Sequence, residues 1–252
     1  MTFICLQAGH YPRTTGATGA PGEQELNWRI TNRLSDILIS KGFVVQIVGA
    51  DPTDAEIKKD FDLFLALHGD ADVYGTGGGV IGYIDPAIDL SEESNKESKR
   101  LKEAIESVYF KESGIVNHPE RLNKNITQYY MWRRLTANTH CVLLEMGVVQ
   151  DAHDKVILAD TDMVSKAIAK GICFAYGVNY ESTPEPIPPT PPTPETCDDV
   201  KKELEDTKKA LSDAQKQNSD ALALKDAECN EKIESYKTRL ADELDKTIKN
   251  TI

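Results

Sequence analysis

Leu63-Phe64-Leu65-Ala66-Leu67-His68 sets five apolar residues in a row and ends on a histidine. Such a run, without alternation, reads as a strand buried on both faces, as in a parallel sheet covered by helices. Working outward, Phe3 to Leu6, which runs into Ala8-Gly9-His10, and Phe43 to Val48 read as strands upstream. Val80 to Ile84 and Cys141 to Leu144 read as strands downstream. Between them, Glu25 to Ile39 places Leu26, Ile30, Leu34, Ile37 and Leu38 on one helical face. Helices are also expected over Ser94 to Phe110, Gln128 to Leu135 and Asp162 to Tyr176. Strands alternating with helices predict an α/β fold: an open, mostly parallel twisted sheet with helices on both faces.

The pattern stops near residue 180. All 16 glycines and both tryptophans precede that point, whereas seven of the 12 prolines fall between Pro184 and Pro194. That density fixes φ and removes amide donors, so it predicts an extended spacer. Residues 198 to 252 contain neither Gly nor Pro and carry heptad-like spacings through Val200, Leu204, Leu211 and, after a phase shift, Leu222, Cys229, Ile233 and Leu240. Three parts follow: a globular domain over 1–178, a Pro-rich linker over 179–197, and a helical, coiled-coil-like tail over 198–252 that is expected to pair two chains as a homodimer.

The full chain of 252 residues has 29 Lys plus Arg against 41 Asp plus Glu, a formal charge of −12. An acidic balance without a basic block argues against nucleic acid as partner. No run of about 18 apolar residues is present, so no membrane span is expected. The N-terminal residues show no charged leader or long apolar segment, so synthesis in a cytoplasm without a signal peptide is expected. The five cysteines form no Cys-x-x-Cys pair, which disfavours a disulfide framework or a thiolate zinc site.

In open α/β sheets, sites form at the carboxyl ends of the strands. His10, His68 and Glu145 follow three predicted strands, and Glu23 opens the first long helix after a loop rich in Gly, Thr and Ala. Two histidines and a carboxylate with a position left for water make the ligand set of a catalytic zinc, with Glu145 available for proton transfer. On spacing alone, the plainer reading of four unrelated loop residues stays open. Gly75-Thr76-Gly77-Gly78-Gly79 precedes a strand instead of a helix, so it lacks the mechanics of a phosphate loop. Cys141 and Cys173 read as core residues, and His118 and His153 as surface ones.

Ala8-Gly9-His10, Gly16-Ala17-x-Gly19, Glu23-x-x-x-Asn27, Leu67-His68-x-x-Ala71 and Leu143-Leu144-Glu145-Met146-Gly147 together resemble the zinc-dependent N-acetylmuramoyl-L-alanine amidases of the amidase-3 family. The resemblance spans roughly residues 1 to 178, with the motifs in the same order. It implies one zinc ion held by His10, Glu23 and His68, Glu145 as the catalytic carboxylate, and peptidoglycan as the substrate. It also implies cleavage of the amide between N-acetylmuramic acid and L-alanine, as in a phage endolysin or an autolysin acting on the wall after release. Asn27 and Asp70 are expected to contact substrate; Asp70 stands where the family commonly has Asn. Two other classes compete. A zinc carboxypeptidase shares the sheet type, but its early ligands usually sit as His-x-x-Glu, not as distant as His10 and Glu23. A non-catalytic wall-binding protein would not need the full ligand set.

Overall fold

The structure is a computed structural model that describes residues 1–13, 18–71, 75–88 and 91–181. Nearly all of the expected linker and the whole expected tail lie outside the described residues.

Five strands form one sheet: β1 (Phe3–Ala8), β2 (Val44–Val48), β3 (Leu63–Asp70), β4 (Val80–Tyr83) and β5 (Cys141–Val148). Their order is β2-β1-β3-β5-β4. All neighbours are parallel except β4, which runs antiparallel to β5 at the edge. The α/β sheet expected from the apolar runs is thus present.

Alternation along the strands splits the core in two. Leu63, Leu65 and Leu67 join Ile4, Leu6, Val142 and Leu144 in a cluster that α1 (Glu23–Ser40), α3 (Glu92–Ser113) and α6 (Thr161–Ala175) cover. Phe64 and Ala66 join Cys5, Cys141 and Leu143 in a second cluster. Only short elements cap that one: α2 (Asp54–Ile57) through Ile57, α4 (Lys124–Thr127) through Ile126, and a 3-10 turn, Tyr130–Arg134, through Met131 and Trp132. Helices therefore lie on both faces, but the long ones gather on one.

Three local expectations need correction. The helix expected over Gln128 to Leu135 is absent. Tyr129 takes an extended backbone (φ −49°, ψ 135°), which separates α4 from the 3-10 turn. Long-range contacts override the local pattern there: Arg134 Nη2 donates to the Pro52 carbonyl at 2.8 Å, and Trp132 is fully buried. Second, β3 and β5 run past their apolar stretches, so His68 and Glu145 lie inside strands and not after them. Third, three short helices escaped the periodicity. They are α2, opened by a Thr53–Glu56 capping box, α4, whose N-cap Asn123 accepts from Asn125 N, and α5 (Ala152–Ala159), whose N-cap Asp151 accepts from His153 N and Asp154 N.

Leu65 is fully buried in β3, in register with Leu6 on one side and Val142 on the other. Leu65→Ala is expected to cost about 2–5 kcal/mol of stability. Denaturant unfolding of both proteins, compared at equal slope, measures it.

Candidate active site

Parallel pairing of β1 with β3 aligns Ala8 with Leu67, and the next amide, Gly9 N, donates to Leu67 O at 2.9 Å. The residues that follow, His10 and His68, are thereby brought together: their rings meet edge to face with centroids 4.8 Å apart. Gly9 is needed for this approach, because a Cβ there would lie 2.5 Å from the His68 ring. His10 has φ 60°, the single positive φ of a non-glycine residue among the described residues. A backbone held in that region stores strain, and such positions cluster at functional sites.

Glu23 enters as the first residue of α1. Its Oε1 lies 3.4 Å from His10 Nε2 and 3.4 Å from His68 Nδ1. The other oxygen, Oε2, accepts from Ala20 N at 2.8 Å. A Cβ at Gly19 would fall 2.4 Å from that Oε2, and Gly19 has φ +76°, so glycine is required twice over. Beneath the carboxylate sits Asn27, which has no exposed surface; its Nδ2 donates to Gly9 O at 3.0 Å and to Glu23 Oε1 at 3.2 Å. Ligand-type atoms of His10, Glu23 and His68 all lie within 4.8 Å of one another.

Glu145 is the register partner of His68 across β3 and β5. In parallel strands, paired residues project from the same face, here the face of the short elements. With His10 and His68 it lines a cleft of about 620 Å³, whose far wall is Lys124, Gln128 and Tyr129. Glu145 also borders a side cavity of about 230 Å³, shared with Asp70 and Arg121. Its Oε2 is buried and has no hydrogen-bond partner. Asp70 is half-buried and accepts from Ala71 N at 2.8 Å.

The charges follow from this geometry. Burial, then the charges of Asp70 and Glu23, holds the Glu145 carboxyl well above the ordinary carboxylate range. Burial pushes Glu23 up as well, but the imidazoles of His68 and His10 beside it bring it below its usual value. Burial lowers His68, which favours the neutral imidazole that a metal needs.

A second cluster, Asp151, His153 and Asp154, also brings ligand-type atoms together. Its carboxylates are already employed in the fold. Asp151 caps α5, and Asp154 Oδ2 accepts from Val148 N at 3.0 Å and Gly78 N at 2.5 Å, tying the glycine-rich loop to the end of β5. His118 pairs with Glu120 at 2.6 Å, and Cys141 and Cys173 are buried free thiols. The residue that sequence reasoning missed is Tyr129, hidden inside a helix that does not form; its hydroxyl lies 3.3 Å from His68 Nε2.

The family model for N-acetylmuramoyl-L-alanine amidase matches residues 4–174, a span that contains all four clustered residues. The chain belongs to the N-acetylmuramoyl-L-alanine amidase family. It is an enzyme of that class, with peptidoglycan as its substrate class. Solved structures carry the same fold. AmiC2 of Nostoc punctiforme is 19% identical with a TM-score of 0.53, covering 68% of this amidase and 94% of its own chain. The catalytic domain of CwlV from Bacillus (Paenibacillus) polymyxa var. colistinus is 19% identical with a TM-score of 0.52, covering 71% and 100%. Ami1 from Mycobacterium smegmatis is 14% identical with a TM-score of 0.57, covering 70% and 97%. No curated protein matches the chain. No helix among the described residues is long and apolar enough to cross a membrane.

The raised Glu145 carboxyl predicts a pH effect on the metal-free amidase. Its folded value exceeds the ordinary 4.5, so the folded state holds the proton more tightly than the unfolded one. Stability falls as pH rises from the unfolded value through the folded one. Glu145→Gln removes that loss, so the metal-free variant is expected to be the more stable protein at neutral pH, with the gap closing toward pH 4. Denaturant midpoints against pH for both metal-free proteins test this; equal midpoints at neutral pH would contradict it.

Proposed function

We propose that this amidase is a zinc-dependent hydrolase that cleaves the amide joining the lactyl group of N-acetylmuramic acid to L-alanine. His10, Glu23 and His68 hold one zinc ion, and Glu145 carries the proton. One observation carries the reading: two imidazole nitrogens and a carboxylate oxygen face one another beside a cleft holding a buried carboxylate oxygen without a partner. Those donor types suit zinc, and three of them leave a position open. Glu23, buried between the two imidazoles, adds a negative charge to that donor set, which favours a cation.

When bound, zinc supplies a water of lowered pKa and polarises the scissile carbonyl. Glu145 takes the proton from the attacking water at its partnerless Oε2 and passes it to the leaving amine. A carboxyl held above the ordinary carboxylate range suits both halves of that exchange. Glu23 is oriented by Ala20 N and Asn27, so the buried Asn27 serves the ligand and not the substrate. Lys124, Asn125 and Gln128 offer an ammonium and two amides to the peptide's carbonyls and carboxylates. Asp70 walls the side cavity, where it selects among substrate groups that reach past Glu145.

The setting we assign is wall lysis, as an endolysin or an autolysin. For residues 198–252 the heptad spacing supports self-association into a homodimer, which light scattering on the full chain checks.

Digestion of purified sacculi is expected to release new L-alanine amino termini without new reducing sugar ends. Reducing ends in their place would make the enzyme a glycosidase and remove the reading. Glu145→Gln is expected to keep its zinc and lose about 10²–10⁴ in turnover. His68→Ala is expected to lose the metal, as read by elemental analysis of the purified protein.

A further inference from the structure

Tyr129 has no part in the chemistry above, yet it touches one of the three ligands. Its hydroxyl stands 3.3 Å from His68 Nε2, and the two rings meet edge to face at 5.5 Å. The other nitrogen of His68, Nδ1, is the one that faces Glu23. A neutral imidazole that presents the lone pair of Nδ1 carries its proton on Nε2. His68 is buried, so that proton requires an acceptor within the protein. The Tyr129 oxygen is the acceptor in reach.

We propose that Tyr129 is a positioning residue for the metal centre: by accepting from His68 Nε2–H it fixes the tautomer and the ring plane that aim Nδ1 at the shared position beside His10 and Glu23. The proposal rests on the zinc reading. Ligating histidines commonly give their second N–H to a carboxylate or a backbone carbonyl. Here a phenol fills that place, so the ligand is steered without another negative charge in a site that already holds Glu23, Asp70 and Glu145.

A steering group must itself be held, and the structure holds Tyr129 from several sides. Its ring packs on Trp132 at 5.3 Å and on Tyr130 at 4.6 Å. Trp132 Nε1 donates to Ile126 O at 3.0 Å, which ties the 3-10 turn back to α4. The Tyr130 hydroxyl donates to Ala50 O and accepts from Arg13 Nη2 at 3.0 Å. Arg13 in turn grips Asp51 with two hydrogen bonds of 2.7 and 2.6 Å. At the far end of the turn, Arg134 holds Pro52 O and Asp54. The turn is thus fastened at both ends to the segment that follows β2, and the hydroxyl meets His68 from a fixed base.

Tyr129→Phe removes the oxygen and keeps the ring, so packing on Trp132 survives. Zinc affinity is measured on the full-length protein by competition with a chromophoric chelator, with circular dichroism of both proteins as the fold check. The variant is expected to bind zinc about 10–100-fold more weakly with an unchanged fold. Nitrogen NMR of the histidine rings in the zinc-loaded wild type is expected to show His68 protonated at Nε2. An affinity equal to that of the wild type, or a His68 proton found on Nδ1, overturns the positioning role while leaving zinc in place. Failure of the wild type to bind zinc overturns the metal reading and this role with it.

Discussion

The hydrogen bond from Gly9 N to Leu67 O continues the β1–β3 ladder by one rung, and the site depends on it. It sets the ends of two central strands at a fixed offset, so His10 and His68 leave the sheet side by side. The same rung explains why residue 9 has no side chain: the His68 ring occupies the place of a Cβ. It also explains the left-handed backbone at His10, where the chain must turn out of the strand at once for its imidazole to face back across β3. A site placed by strand register is stiff, because shifting one histidine would mean slipping a buried strand.

Around this frame the amidase concentrates groups that a purely structural core would avoid. Glu23 is buried against two imidazoles, Glu145 has an oxygen without a partner, and Asp70 lies close enough to raise Glu145. Each arrangement works against stability, and active sites are where folds tolerate such conflict. The compensation lies nearby in apolar packing: Leu63 to Leu67 are completely buried, and both faces of the sheet are closed. The less heavily covered face is the one with the cleft. Short elements cap it, and a cleft lined by His10, His68 and Glu145 opens there beside α4.

Residues far from the cleft serve the same end. Asp154, itself buried, draws the Gly77–Gly79 segment onto the end of β5 through Gly78 N and Val148 N. That contact supports the strand end bearing Glu145. Its partner in the sequence, Asp151, caps α5, so a cluster of metal-ligand residue types serves as a fastening for the loop. Residue type alone would not separate it from the His10–Glu23–His68 cluster; what separates them is that Asp151 and Asp154 each accept two backbone amides, whereas Glu23 keeps Oε1 facing both imidazoles.

The sequence by itself determined the sheet, its long helices and the four residues that meet. Long apolar runs cannot be exposed, and their spacing leaves few ways to bury them. His68 and Glu145 were legible because each follows such a run directly, and His10 because the first run leads into it through Ala8-Gly9. Tertiary structure alone decided which atoms meet, and it decided where Asn27 sits: fully buried, donating to Gly9 O and Glu23 Oε1. It also decided the fate of residues 128–135. Helical spacing there is real, but Arg134 takes partners across the chain at Pro52 and Asp54, Trp132 is buried in the core, and the helix gives way to an extended Tyr129. Local periodicity reports only neighbours in sequence, whereas the contact between Tyr129 and His68 joins residues 61 positions apart.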